Sequence, residues 1–158
     1  MTNQYLTILM ESLQKKLKVL DEIQSYNEKQ YRMFQENQVS FEDFDRYVDE
    51  KGMLIEKLTK LDEGFEMIYD KIAEELIGNK EKYAGQIKVL QQLIREVTDK
   101  SVSIQAQEAR NKSAVEQYFR REKQEVGQKK RSSAAAMNYY KNMSNTNVVP
   151  PQFMDKKK

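Results

Sequence analysis

The side chains of this chain that could do acid–base or metal chemistry are carboxylates. Asp43, Asp45, Asp49 and Glu50, and later Glu63, Glu66, Asp70 and Glu74, recur at spacings that set acidic groups along a helix face. Such clusters suit general acid–base work or the binding of a hard cation. Either use needs companions that the sequence does not supply. The 158 residues contain no histidine and no cysteine. That removes the commonest general base, the commonest transition-metal ligand, every thiolate and every disulfide. No Gly-rich phosphate loop accompanies the acids, and Lys and Arg interleave with them throughout. The clusters therefore read as solvated helix faces. The expectation is a protein that is not an enzyme and takes no cofactor and no metal.

The other chemistry available is recognition. Up to Arg110 the chain carries 16 basic and 21 acidic residues, and beyond it 11 and 4, although the whole is nearly neutral at +2. The basic excess includes Arg120, Arg121, Lys123, Lys129, Lys130 and Arg131. Such a run is a candidate footprint for nucleic acid or an anionic membrane. It is broken by Glu122 and Glu125 and has no nucleic-acid-binding motif around it. No nucleic-acid partner and no stable membrane insertion are expected; steering toward an acidic protein surface fits better. Directly after it comes "SSAAAMNYYKNMSN", Ser132 to Asn145, a small apolar and aromatic island in a chain that is 33% charged. Met137, Tyr139, Tyr140 and Met143 need cover, either from the rest of the chain or from another molecule. Tyr and Met suit adaptable binding surfaces, and the expectation is a partner.

Long helices must position these residues. Leu6, Leu9, Leu13, Leu17, Leu20, Ile23, Tyr31 and Phe34 recur at steps of mostly three and four, predicting a helix over about 3–36. Ser40 followed by Phe-Glu-Asp reads as an N-cap with acids in the first turn. It opens a second helix over about 41–77 with the seam Phe41, Phe44, Val48, Ile55, Leu58, Leu61, Phe65, Ile68, Ile72 and Leu76. That stripe keeps its phase through Gly52 and Gly64, so the helix should be continuous despite about 1 kcal/mol lost at each glycine. Gly78-Asn79 reads as a stop. Tyr83, Ile87, Leu90, Ile94, Val97, Ser101, Ile104, Glu108, Asn111, Val115 and Tyr118 then form the clearest heptad run in the chain, on a helix expected over 80–131. Its polar members, Ser101, Glu108 and Asn111, mark the place where the seam drifts toward solvent as the bundle ends, a register-fixing polar layer, or the limit beyond which a partner helix replaces an internal one.

The architecture predicted is all-α: an elongated antiparallel three-helix coiled-coil bundle over 1–131 whose third helix overhangs. A short amphipathic helix follows over 132–144, and a tail with the composition of a flexible segment over 145–158. The N-terminal stretch has no basic n-region and its apolar residues are interrupted, so neither a signal peptide nor a spanning helix is expected, and a cytoplasmic location is.

Several stretches together resemble the FlgN family of flagellar type III export chaperones, in the branch found in clostridia-like Gram-positive bacteria. "YLTILMESLQKKLKVLDEI" is similar to the family's leading helix, "FDRYVDEKGMLIEKLTKLDEGFEMI" to its second and "IQAQEARNKSAVEQYF" to its third. Asn111 matches the second of the paired asparagines common on that third helix, while Gln107 or Glu108 stands where the first would be. "NYYKNM" falls where the family has a tyrosine-containing C-terminal element, without its usual glycine. The resemblance implies a small cytosolic protein that binds hook-associated junction proteins at their C-terminal helical region, keeps them unpolymerised and hands them to the export gate. It also implies that Val115, Tyr118, Phe119, Met137, Tyr139, Tyr140 and Met143 contact client or gate. Two rivals predict differently. A self-associating coiled-coil scaffold would form a homo-oligomer without a client, and a nucleic-acid or membrane adaptor would bind with steep salt dependence.

Overall fold

The computed structural model describes residues 1–122 together with Asn138 and Tyr139. Three helices make up nearly all of it: α1 Thr2–Gln35, α2 Phe41–Gly78 and α3 Ala84–Arg121. The first two match the expected spans to within one residue. Ser40 caps α2 as read, its side chain accepting from the Asp43 N–H at 3.3 Å. The turn before it passes through Asn37 at φ 54°, a left-handed position that asparagine tolerates better than most residues. Gly52 and Gly64 lie inside one uninterrupted α2.

The third helix starts later than expected. Its start moves from 80 to Ala84 because the stop at Gly78-Asn79 extends into a turn. The Asn79 carbonyl accepts from the N–H groups of Lys82 and Tyr83, and the Tyr83 hydroxyl donates back to Glu75 at 2.9 Å. The helix ends at Arg121, where the Glu122 N–H closes the last turn on Tyr118. The helix α3 is therefore 38 residues long, the same as α2 and about 57 Å. The expected overhang falls on residues 123–131, outside the described residues, as do nearly all of the short C-terminal helix and the whole tail.

Cross-helix pairs fix the topology. Lys16 meets Asp62 and Phe34 meets Phe44, so α1 and α2 are antiparallel; Asp21 meets Lys100 and Glu28 meets Arg110, so α1 and α3 run in the same direction. The bundle is up-down-up, and α1 packs along both neighbours while the backbones of α2 and α3 approach each other at few points. The core is the seam expected for α3, with Leu90, Ile94, Val97, Ser101, Ile104, Glu108, Asn111 and Val115 all buried. Leu6, Leu9, Leu13, Leu20 and Ile23 of α1 and Phe44, Ile55, Leu58, Phe65, Ile72 and Leu76 of α2 complete it. Among the described residues, no helix is long and apolar enough to cross a membrane.

Candidate partner-binding site

Two features stand out at the end of the bundle away from the α2–α3 turn. The first is a buried polar layer. Following the stripe of α1 beyond Ile23, the next inward positions are Asn27 and Gln30. In α2 the inward position between Val48 and Ile55 is Lys51, and in α3 Glu108 and Asn111 follow Ile104. The Lys51 side chain is 0% exposed, and a bare ammonium there would be prohibitively costly. Its Nζ donates to Asn27 Oδ1 at 2.7 Å, to Gln30 Oε1 at 2.6 Å and to the Glu108 carboxylate at 3.0 and 3.3 Å. Burial pushes the Lys51 ammonium down to about 8, against the pull of Glu108 in the other direction. Outward from this centre, Asn27 donates to Gln107, Gln107 donates to Glu28, and Arg110 pairs with Glu28 while lying 3.5 Å from the centre of the Tyr31 ring. Asn111 donates to the Asn27 carbonyl at 3.0 Å. Among the described residues Gln30 Nε2 and Asn111 Oδ1 lack a partner, so the layer is not fully satisfied.

Tyr139 enters this layer from the C-terminal segment. In helical conformation with Asn138, it is 5% exposed. Its hydroxyl donates to Glu108 Oε2 and its ring lies over Lys51, 4.2 Å from Nζ to the centroid. Lys51 belongs to α2 and Glu108 to α3, so the tyrosine bridges the two helices whose backbones stand apart. Nearer the turn, the same side of the bundle holds an open groove of about 350 Å³ lined by Tyr69, Leu76, Ile77, Ala84, Ile87 and Lys88.

The second feature is an aromatic cluster one to two turns beyond the layer. Phe34 and Phe41 both meet Tyr118, at 5.6 and 5.9 Å between ring centres, Phe34 meets Phe44 edge-on, and Phe41 stacks on Phe119 at 5.8 Å. Edge and offset contacts of this kind add to what area burial alone provides. The cluster ties the last turn of α1 and the first of α2 to the last of α3.

The residues expected at a partner surface are thus dispersed. Val115 lies in the core; Tyr118 and Phe119 are half-buried in the aromatic cluster; Tyr139 is buried between α2 and α3. Met137, Tyr140 and Met143 lie outside the described residues. Sequence reading passed over Asn27, Gln30 and Lys51, although a signal was present. The α2 seam jumps seven residues from Val48 to Ile55, and the α1 seam breaks after Ile23, both level with Glu108 and Asn111. Two stripes that skip polar residues level with the polar members of a third mark a buried layer. Among the described residues, no group of three or more acidic side chains is placed to hold a metal ion. No protein-family model matches this chain, and neither a curated protein nor a solved structure does.

Proposed function

We propose that the protein is a cytosolic flagellar export chaperone that binds the C-terminal helical region of hook-associated junction proteins, prevents their premature polymerisation and delivers them to the export gate. The observation that carries this reading is the α2–α3 side of the bundle, where the two backbones approach each other at few points and Tyr139 is seated between them. A long helical rod that leaves one side short of backbone contact offers a helix-sized seat, and amphipathic helices are what such seats take. The half-buried Phe41, Tyr118 and Phe119 at the rod's end add adaptable aromatic surface beside it. Arg120 and Arg121 in the last turn of α3 would steer an acidic partner toward that end. The likeness of the three helical stretches and of "NYYKNM" to the FlgN family supplies the identity of the client.

Calorimetric titration of a hook-associated junction protein from the same organism into the full chain, and into a chain ending at Arg131, tests the reading. Binding by the full chain that weakens at least tenfold on truncation supports it and assigns the contact to the C-terminal island. Equal binding by both chains moves the contact to the bundle. Absence of binding by either, accompanied by self-association, replaces the chaperone with the coiled-coil scaffold.

A further inference from the structure

Tyr139 is held by chemistry that a generic apolar contact would not need. We propose that Asn27, Gln30, Lys51 and Glu108 form a phenol-selective socket in the α2–α3 opening, filled by Tyr139 in the resting chain and able to take the tyrosine of a partner's amphipathic helix when the C-terminal segment leaves. The partner half of this proposal rests on the chaperone reading; the socket itself does not.

Three observations carry it. The socket is assembled without Tyr139: the three protons of the Lys51 ammonium are taken by Asn27, Gln30 and Glu108, which belong to α1 and α3. Lys51 and Glu108 therefore stay in place when the tyrosine departs. The occupant must satisfy two demands at once. A π face is needed over the buried ammonium 4.2 Å away, and a proton donor for Glu108 Oε2, whose other contact among the described residues is Lys51 at 3.3 Å. A phenol meets both, a phenyl ring only the first, and an aliphatic side chain neither. Finally, the socket lies on the side where the α2 and α3 backbones approach each other at few points, and Tyr139 fills the space between Lys51 and Glu108. The chain between Arg121 and Tyr139 spans at most about 60 Å when extended, whereas Glu108 lies only about 20 Å back along α3.

The test uses the full chain carrying Tyr139→Ala, which empties the socket. Thermal unfolding is followed with millimolar p-cresol or toluene, the two probes differing only in the hydroxyl. A rise in Tm with p-cresol well above that with toluene, and no such difference in the parent chain, is expected. Equal rises with both overturn selectivity for the phenol, and no rise with either overturns the socket. For the helix, the peptide SSAAAMNYYKNMS, matching residues 132–144, is titrated into the same variant. Its affinity is expected to exceed that of the peptide carrying Tyr139→Phe by about tenfold, the worth of a hydrogen bond to a buried carboxylate. Equal affinities sink the proposal. Should Tyr139→Ala not fold, Tyr139→Phe replaces it. The tyrosine peptide then binds this variant and not the parent chain, and failure to bind overturns the proposal. Neither probe contains a client, so a failed client titration removes the chaperone reading and leaves this result standing.

Discussion

The two halves of this rod are built by different rules. In the half nearest the α2–α3 turn the core holds Leu6, Leu9, Leu13, Phe65, Ile72 and Leu90, and among the described residues Lys16 and Ser101 are the polar side chains buried with them. In the other half the interior centres on Lys51, bonded to Asn27, Gln30 and Glu108. Apolar heptads attract without specifying register, because sliding a helix by seven residues restores a similar interface. The polar layer has one alignment in which Lys51 finds Glu108. The first half supplies adhesion, and the second supplies register and a place for Tyr139.

The sharpest way to break this contrast is to remove one partner of the buried pair. Glu108→Leu leaves the Lys51 ammonium buried without its counter-charge and is expected to cost about 3–5 kcal/mol in urea unfolding. Adding Lys51→Met to that variant should recover most of the loss, since a buried pair replaced by apolar groups of similar size is often neutral. A double variant no more stable than the single one would show that Asn27 and Gln30 depend on Lys51 for their own satisfaction. In the apolar half, Leu9→Ala is expected to cost about 2–5 kcal/mol through lost burial and a residual cavity, and no second substitution at a facing leucine should repair it.

Alkaline pH separates the halves without mutation. The Lys51 ammonium titrates near 8 in the folded chain and at the ordinary 10.5 once unfolded. Between those values the unfolded chain holds a proton that the folded chain has released, so rising pH favours folding in that window. The parent chain should gain stability from pH 8 to pH 10 relative to the Lys51→Met, Glu108→Leu double variant, in parallel denaturant series. Above pH 10 Tyr69 opposes the trend, because burial and then Asp70 hold its hydroxyl above the ordinary value and favour the protonated form. The smallest effect expected is at Gly64, where an added Cβ meets nothing within 4 Å. Gly64→Ala should stabilise the apolar half by about 1 kcal/mol through helix propensity alone, read as a small rise in Tm.

Much of the fold was legible in the sequence because coiled-coil seams repeat. Every heptad position read on α3 turns inward or lies at the core's edge, and Ser40 caps where its neighbours said it would. Of the readings left open for Ser101, Glu108 and Asn111, a drift of the seam toward solvent is overturned, since all three are buried, and Glu108 and Asn111 belong to a polar layer shared by three helices. Three partners of that layer were hidden by the same periodicity. A search for apolar residues at steps of three and four steps over Lys51, Asn27 and Gln30, since burial of a lysine depends on what the other two helices place opposite it. The start of α3 was placed four residues early, because nothing in "GNKEKYA" signals that the turn after Gly78 runs on to Tyr83.

The position of α1 has a consequence for synthesis. It packs against both other helices, and its links to α3, Asp21 with Lys100 and Glu28 with Arg110, join residues 79 and 82 apart in sequence. On a ribosome, α1 and α2 emerge first and close as a hairpin with one flank of their leucine stripe still wet. That flank stays uncovered until Arg110 and the residues after it have cleared the exit tunnel. The nascent hairpin is therefore an adhesive intermediate whose lifetime is set by the rate of translation.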